Sequence, residues 1–265
     1  MSVFGPFWRR LLFSFFTFLW GASWGMAAPV QVRFKEGLTH GFLVLRDEAG
    51  KIIAAGQLEQ TVRGAVVTSS LRFSFTDGSV HEEKTVFSQN GTFKVLRYHL
   101  LDKGPFFKNP IEVWVERAKS EVRVCETKDG KNKITSHHME IPDDLANGIV
   151  PIAIKNFAGG SQQTLTMIAA TPKPRTVKLV FTPQPKDFFL FGESTLKANH
   201  YVAKVQIGGV AGAVAPIVGK QPPDTQLWVL PGTAPVFLKS KGPISPENPV
   251  VEIELASPSW AAAHS

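Results

Sequence analysis

The sequence predicts a mainly β protein, built as one large antiparallel meander with one or two short helices packed on one face of the sheet. Three observations predict it. Short runs that alternate apolar with polar residues recur from Val30 to Glu140, and turn-forming dipeptides stand between them at near-regular intervals. A single helix-like interruption, IPDDLANGIVPIAIKNFA at 141–158, then breaks the rhythm before strand-like runs resume. No helix-length pattern separates successive strands, as a parallel βαβ array would require.

The first 28 residues stand apart. Arg9 and Arg10 precede an apolar run from Leu11 to Met26, and Gly25 and Ala27 supply the small residues that a signal peptidase reads, so 1–28 is a signal peptide with cleavage after Ala27. No cysteine near that point offers a lipid attachment site. The alternative is an uncleaved anchor, since Leu11–Ala28 approaches the roughly 20 residues that span a bilayer. Export implies a periplasmic or extracellular location. Residues 29–257 then form a single β-rich domain, with 258–265 (PSWAAAHS) as a disordered tail.

Within the domain the turns come first. Glu48-Ala49-Gly50-Lys51, Asp77-Gly78, Asn90-Gly91 and Asp129-Gly130 separate strand-like runs, and Asn-Gly or Asp-Gly in that position is a strong hairpin signal. LRFSF at 71–75 places Leu71, Phe73 and Phe75 on one face, whereas FKVLRYHLL at 93–101 is apolar on both, as in a strand covered from two sides. In the interruption, Asp143 or Asp144 caps a first short helix that Gly148 stops, and Pro151 suits the first turn of a second that ends before Gly159-Gly160. Its apolar side chains need a sheet face to lie on. TLTMIAA, VKLVFT, YVAKVQI, a TQLWVL/APVFLKS hairpin around Pro231-Gly232 and a final VVEIEL complete the strands.

Charge and cysteine content bound the function. The 29 Lys and Arg outnumber the 22 Asp and Glu for a net charge of +7, and removing the leader with its two arginines leaves +5. That charge is spread thinly, and with export it argues against nucleic acid as a partner. The single cysteine, Cys125, has no partner for an internal disulfide and sits in a strand-like run with no histidine beside it, which fits a buried bystander.

The stretch IGGVAGAVAPIVGKQPPD at 207–224 resembles a phosphate loop only in composition. Gly219-Lys220 is followed by Gln221 where Ser or Thr is needed, and Val214 stands where the first glycine should be. Its apolar part has 13 residues, Ile207–Gly219, too short for a membrane span. A close-packed Gly/Ala-rich connection remains.

That stretch continues into IGGVAGAVAPIVGKQPPDTQLWVLPGTAPVF at 207–237. Together with FTDGSVHEEKTVFSQ at 75–89, LDKGPFF at 101–107 and PDDLANG at 142–148, it resembles a group of uncharacterised exported bacterial β-rich proteins. More distantly, the plan is similar to the half-barrel of periplasmic lipoprotein carriers. The resemblance implies a sheet curved into a half-barrel or open barrel, with the helices on its concave face and that face open to acyl chains. It carries no catalytic residues over to this sequence.

Candidate chemistry is sparse. SHHMEIPDD at 136–144 gathers His137, His138, Glu140, Asp143 and Asp144; on a strand His138 and Glu140 share a face and are weak candidates for a metal, against the ordinary reading of a polar strand end. His81, Glu82 and Glu83 read as solvated surface. GESTL at 192–196 opens like a nucleophile elbow but ends in Leu196 where glycine is required. The aromatic content points elsewhere: Phe75, Phe189, Phe191, Trp228 and Phe237 are expected to line an apolar site at one end of the sheet. The sequence therefore favours a non-enzymatic exported envelope protein, without a cofactor, that binds a lipid or other hydrophobic molecule. An assembly protein that binds an envelope partner through a strand edge or apolar patch is the second reading, and a hydrolase the third.

Overall fold

The structure, a computed structural model, describes residues 28–128, 131–158, 160–191, 193–206, 222–245 and 247–256. Residues 1–27 of the expected leader at 1–28, the Asp129-Gly130 turn, residues 207–221 of the Gly/Ala-rich stretch, the expected tail at 258–265 and the side chain of Phe191 lie outside the described residues.

Among the described residues, fourteen strands make one antiparallel sheet. In chain order they are β1 (Thr39–Arg46), β2 (Ile52–Arg63), β3 (Val66–Phe75), β4 (Val80–Asn90), β5 (Thr92–Lys103), β6 (Ile111–Glu116), β7 (Glu121–Lys128) and β8 (Lys131–His138). After the helix come β9 (Gln163–Ile168), β10 (Thr176–Phe191), β11 (Ser194–Gln206), β12 (Thr225–Leu230), β13 (Val236–Pro243) and β14 (Val250–Leu255). The spatial order is β8-β7-β6-β5-β4-β3-β2-β1-β14-β13-β12-β11-β10-β9, so β1 joins the two halves and β8 and β9 are the edges. Gly50, Gly78 and Gly91 turn the chain between strands with positive φ, where the Gly-containing turns were expected.

The sheet curls without closing. β7 and β9 are twelve strands apart in the order, about 58 Å along a flat sheet at ~4.8 Å per strand. Yet Val122 and Val124 of β7 and Ile168 of β9 belong to one buried cluster. The chain between β8 and β9 bridges the two sides. Arg117, in a 3-10 turn at Arg117–Lys119, donates to the carbonyls of Ile141 at 2.7 Å and Pro142 at 2.7 Å. Four residues beyond Pro142, the chain meets β9: the Ala146 amide donates to the Thr166 carbonyl at 2.8 Å. Asn147 completes the cover, its side-chain amide donating to the Ile168 carbonyl at 3.0 Å while its oxygen accepts the Ile168 amide at 2.8 Å. PDDLANG thus occupies an edge that would otherwise be open to a further strand.

Among the described residues one α-helix, α1 (Val150–Asn156), lies against the interior, with Pro151 in its first turn. Ile152 joins the cluster containing Val122 and Ile168, whereas Ala153, Ile154 and Phe157 join a second with Phe181, Tyr201 and Leu227. Residues 28–36 pack beside it. The Asn156 side-chain oxygen accepts the Arg33 and Phe34 amides at 2.8 and 2.7 Å, and Lys155 pairs with Glu36 at 2.7 Å. Val30 touches both clusters.

The expectation of a first short helix capped by Asp143 or Asp144 is corrected. Residues 143–149 form turns and a bridge to Thr166, and Asp144 accepts the Thr166 hydroxyl at 2.7 Å instead of capping backbone amides. Gly148, at φ +70°, ends this segment where a side chain would meet Thr85 and Tyr98. β10 and β11 also run much further than VKLVFT and YVAKVQI suggest, for a reason that bears on the site.

Candidate functional site

Antiparallel pairing throughout sorts the turns onto two rims. The first rim carries the β1–β2, β3–β4, β5–β6 and β13–β14 connections; the second carries β2–β3, β4–β5, β6–β7, β10–β11 and β12–β13, with the start of β1 and the end of β14.

At the first rim, His81 on β4 and Asp102 on β5 face each other across the ladder. His81 Nδ1 lies 2.6 Å from Asp102 Oδ1, both side chains being buried. The Ser245 hydroxyl donates to the other carboxylate oxygen from the β13–β14 connection, 143 residues away in sequence. Burial disfavours the His81 imidazolium, but the hydrogen bond to Asp102 and the charges of Glu83 and Asp102 outweigh it and hold the pKa above its ordinary value. Ser, His and Asp are all present without hydrolase geometry. The serine bonds the carboxylate, whereas a nucleophile must bond the imidazole.

Aromatic packing surrounds this pair: Phe75 stacks on Phe106 at 4.4 Å between ring centres, and Phe107 lies 6.3 Å from His81. Above it is an open cleft of about 460 Å³, with Ile53, Phe75, Phe106, Val250 and Val251 in its lining and Asp47, Glu48 and Asp77 among its polar residues. Two of those acids hold turns. Asp47 accepts the amides of Ala49 and Lys51, and Asp77 accepts that of Ser79.

The second rim carries a ribbon. β9 pairs with β10 only as far as Phe181, and β12 pairs with β11 only from Asn199 to Ala203. From Asp187 to Ala198 the two strands therefore pair only with each other, Phe188 opposite Lys197 and Phe189 opposite Leu196. Pro183 and Pro185 fall where β10 has outrun β9, and a proline without an N–H is tolerated on such an edge. At the ribbon's base, the Trp228 indole donates to Asp187 at 2.6 Å and stacks on His200 at 4.6 Å. Phe188 is 64% exposed and Leu190 75%. Lys197 lies over the Phe188 ring at 5.2 Å.

The expected lining residues are dispersed. Phe75 is buried and lines the cleft, Phe189 is half-buried on the ribbon, Trp228 sits at the ribbon's base, and Phe237 packs against the second interior cluster. His138 and Glu140 are exposed at the end of β8, and among the described residues no three His, Cys, Asp or Glu side chains gather as a metal would need. Ser194, from the elbow-like GESTL, begins β11 on the exposed ribbon. Cys125 is buried in β7. The reading of His81 as solvated surface is corrected, since it is buried against Asp102. Sequence reasoning also passed over the parts of Asp102 and Ser245 in that network and the outward placement of Phe188 and Leu190.

No protein-family model and no curated protein matches the sequence. Among solved structures, the chain is similar to a crystal structure of a beta-barrel-like protein of the domain of unknown function DUF1849 from Brucella abortus. The two share 9% identity and superpose with a TM-score of 0.46 over 84% of this chain and 97% of that one. At that level the likeness adds nothing to what the strand order itself establishes. Among the described residues no helix is long and apolar enough to cross a membrane.

Proposed function

We propose that this chain is a non-enzymatic exported protein that binds hydrophobic matter at the cell envelope through its outer surface, and does not enclose a ligand as a carrier would. The observation that supports this reading is where the apolar side chains go. On the concave side, α1 and residues 28–36 occupy the space that an acyl chain would need, and Ile152, Ile154, Phe157 and Leu165 are buried there. Outside, Phe188 and Leu190 stand in solvent at the tip of a ribbon whose tip residues join none of the interior clusters. Exposed apolar side chains concentrated on a projecting element are the ordinary sign of an interaction surface.

Native mass spectrometry of the protein taken from its own host's envelope fraction, before and after organic extraction, tests the reading. The expected result is one mass in both samples. A stoichiometric lipid that extraction removes would restore the carrier, and recovery from the cytosol would overturn the location.

A second reading has its own observation. β8 is the edge on which the described residues place no further strand, and Ile134 in its middle is 64% exposed. Strand addition by an envelope protein would use that edge, although Lys131 and Lys133 beside it discourage indiscriminate pairing. Protection of the β8 amides from hydrogen exchange only in envelope extract supports it, and exchange that is unchanged removes it.

A further inference from the structure

We infer that the second rim seats on an anionic lipid bilayer, with the tip of the β10–β11 ribbon inserted among the headgroups. This rests on the surface-binding reading and names the surface.

Four observations carry it. First, of nine exposed large hydrophobic residues among those described, six lie at this rim: Leu38, Val66, Phe188, Leu190, Val236 and Leu255. They come from five separate strand ends, so the exposed apolar surface is spread along the rim and is not gathered in one peptide-sized groove. Second, the tip is apolar on both faces. Phe188 and Leu190 project to one side and Phe189, with Leu196 opposite, to the other. A folded protein partner covers one face of a ribbon, whereas a bilayer surrounds it. From Asp187 to Phe191 the ribbon is about 13 Å long, enough for the 5–10 Å depth that interfacial elements reach.

Third, the residues behind the tip suit an interface. Lys186 and Lys197 flank the apolar residues, and long lysine stems keep their ammonium groups at headgroup level. Trp228 stands at the base with its indole N–H bonded to Asp187, and the net charge of +5 that remains once the leader's two arginines are removed favours approach to an anionic surface. Fourth, the chain enters the fold at this rim. The Val30 carbonyl accepts the Phe93 amide and the Val32 amide donates to Gly91, both beside the β4–β5 turn. The apolar run Leu11–Met26 therefore connects to the protein on the side that carries the ribbon, and a leader retained as an anchor would hold this rim toward the membrane.

The test places an environment-sensitive fluorophore on Leu190→Cys and, separately, on Glu48→Cys at the opposite rim, with buried Cys125 left in place. The protein, as its host processes it, is mixed with vesicles of phosphatidylcholine alone and with 30% phosphatidylglycerol, where about a third of the headgroups carry charge. The expected result is a blue shift at position 190, quenched by spin-labelled lipid, on the anionic vesicles and none at position 48. Phe188→Asp should weaken the 190 signal by about 100-fold in lipid concentration, since a large apolar side chain is lost from the bilayer and a charge must enter it. All three substituted positions are exposed, so the sheet folds in every variant.

A fluorophore at 190 that stays wet on bound vesicles overturns the inference, as does equal burial at 48. Equal binding to phosphatidylcholine alone overturns the anionic preference. Shielding of 190 without lipid that grows with protein concentration assigns the tip to a second copy of the chain and overturns the bilayer. None of these results touches the parent reading, which fails separately, on an extractable lipid in the mass spectrum.

Discussion

The two rims are built from the same kind of antiparallel hairpin and are finished in opposite ways. At the first, connections distant in sequence are stitched to one another. Ser245 reaches Asp102, the Asn248 side chain donates to the Phe106 carbonyl at 2.8 Å, and Asn109 donates to Glu247 at 3.0 Å. At the second, the longest hairpin in the molecule leaves its neighbours and pairs only with itself. The difference separates two tasks within one sheet. Cross-stitching holds a curled sheet that never closes through its own edge strands, while a ribbon free of neighbours can carry apolar side chains that the fold does not need.

If the first rim is what holds the curl, removing its central carboxylate should have the largest effect. Asp102→Ala leaves His81 buried without its partner and Ser245 without an acceptor. Breaking one side of such a buried pair costs about 3–5 kcal/mol. Urea unfolding monitored by tryptophan fluorescence reads it directly, and a loss below 1 kcal/mol would mean that the β5–β6 and β13–β14 connections hold together without this network.

Gly148→Ala comes next. The residue sits at φ +70°, and a Cβ there would meet the Thr85 hydroxyl and the Tyr98 ring, both in the interior. Strain and overpacking together should cost about 3 kcal/mol. The substitution acts on the segment that bridges β5 and β9, so hydrogen exchange should quicken at Ala146 and Ile168 before the β1–β3 amides respond. Uniform exchange would show that the bridge and the rest of the sheet open as one unit.

The pH dependence of stability sharpens the same contrast. His81 has a folded-state pKa raised above its ordinary 6.5, so its contribution is complete below pH 6.5 and is lost as pH rises through the higher folded value. Unfolding free energy measured from pH 6 upward should fall, and His81→Gln should flatten the decline. The groups that set the sign are Asp102, against the ring, and Glu83, along β4. A profile that His81→Gln leaves unchanged would place the titration elsewhere.

These elements also mark where a sequence stops being informative. The meander, its Gly-containing turns and the Pro151 helix follow from local signals, since turn chemistry and period two are properties of a few adjacent residues. The His81–Asp102 pair does not. Counted back from the Asn90–Gly91 turn, where Asn90 faces Thr92, His81 should face Leu101. A bulge between Val86 and Phe87 shifts the register by one and brings Asp102 opposite instead. No residue type announces that bulge. PDDLANG misled for a related reason: aspartates ahead of an apolar run suit a helix cap, but the uncovered edge of β9 offered Asp144 and Asn147 better partners. The two prolines before KDFFLFG hid the ribbon, because proline argues against a strand until it is known that one side of that strand has no neighbour.

The smallest effect on stability belongs to the ribbon, and its smallness is the point. Phe188→Ala and Leu190→Ala remove side chains that are 64% and 75% exposed, on the stretch of β10 and β11 that pairs only with itself. Surface substitutions of this kind change unfolding free energy by no more than about 0.5 kcal/mol. A loss of 2 kcal/mol or more would mean that the tip folds back onto the body in solution, and the contrast between the rims would fail. Near-neutrality leaves a different question. Large apolar side chains that the fold does not use face water at an unfavourable free energy of roughly 1.5–3 kcal/mol each relative to burial. That cost is recovered only when another surface covers them, so the ribbon's sequence makes physical sense in the bound state.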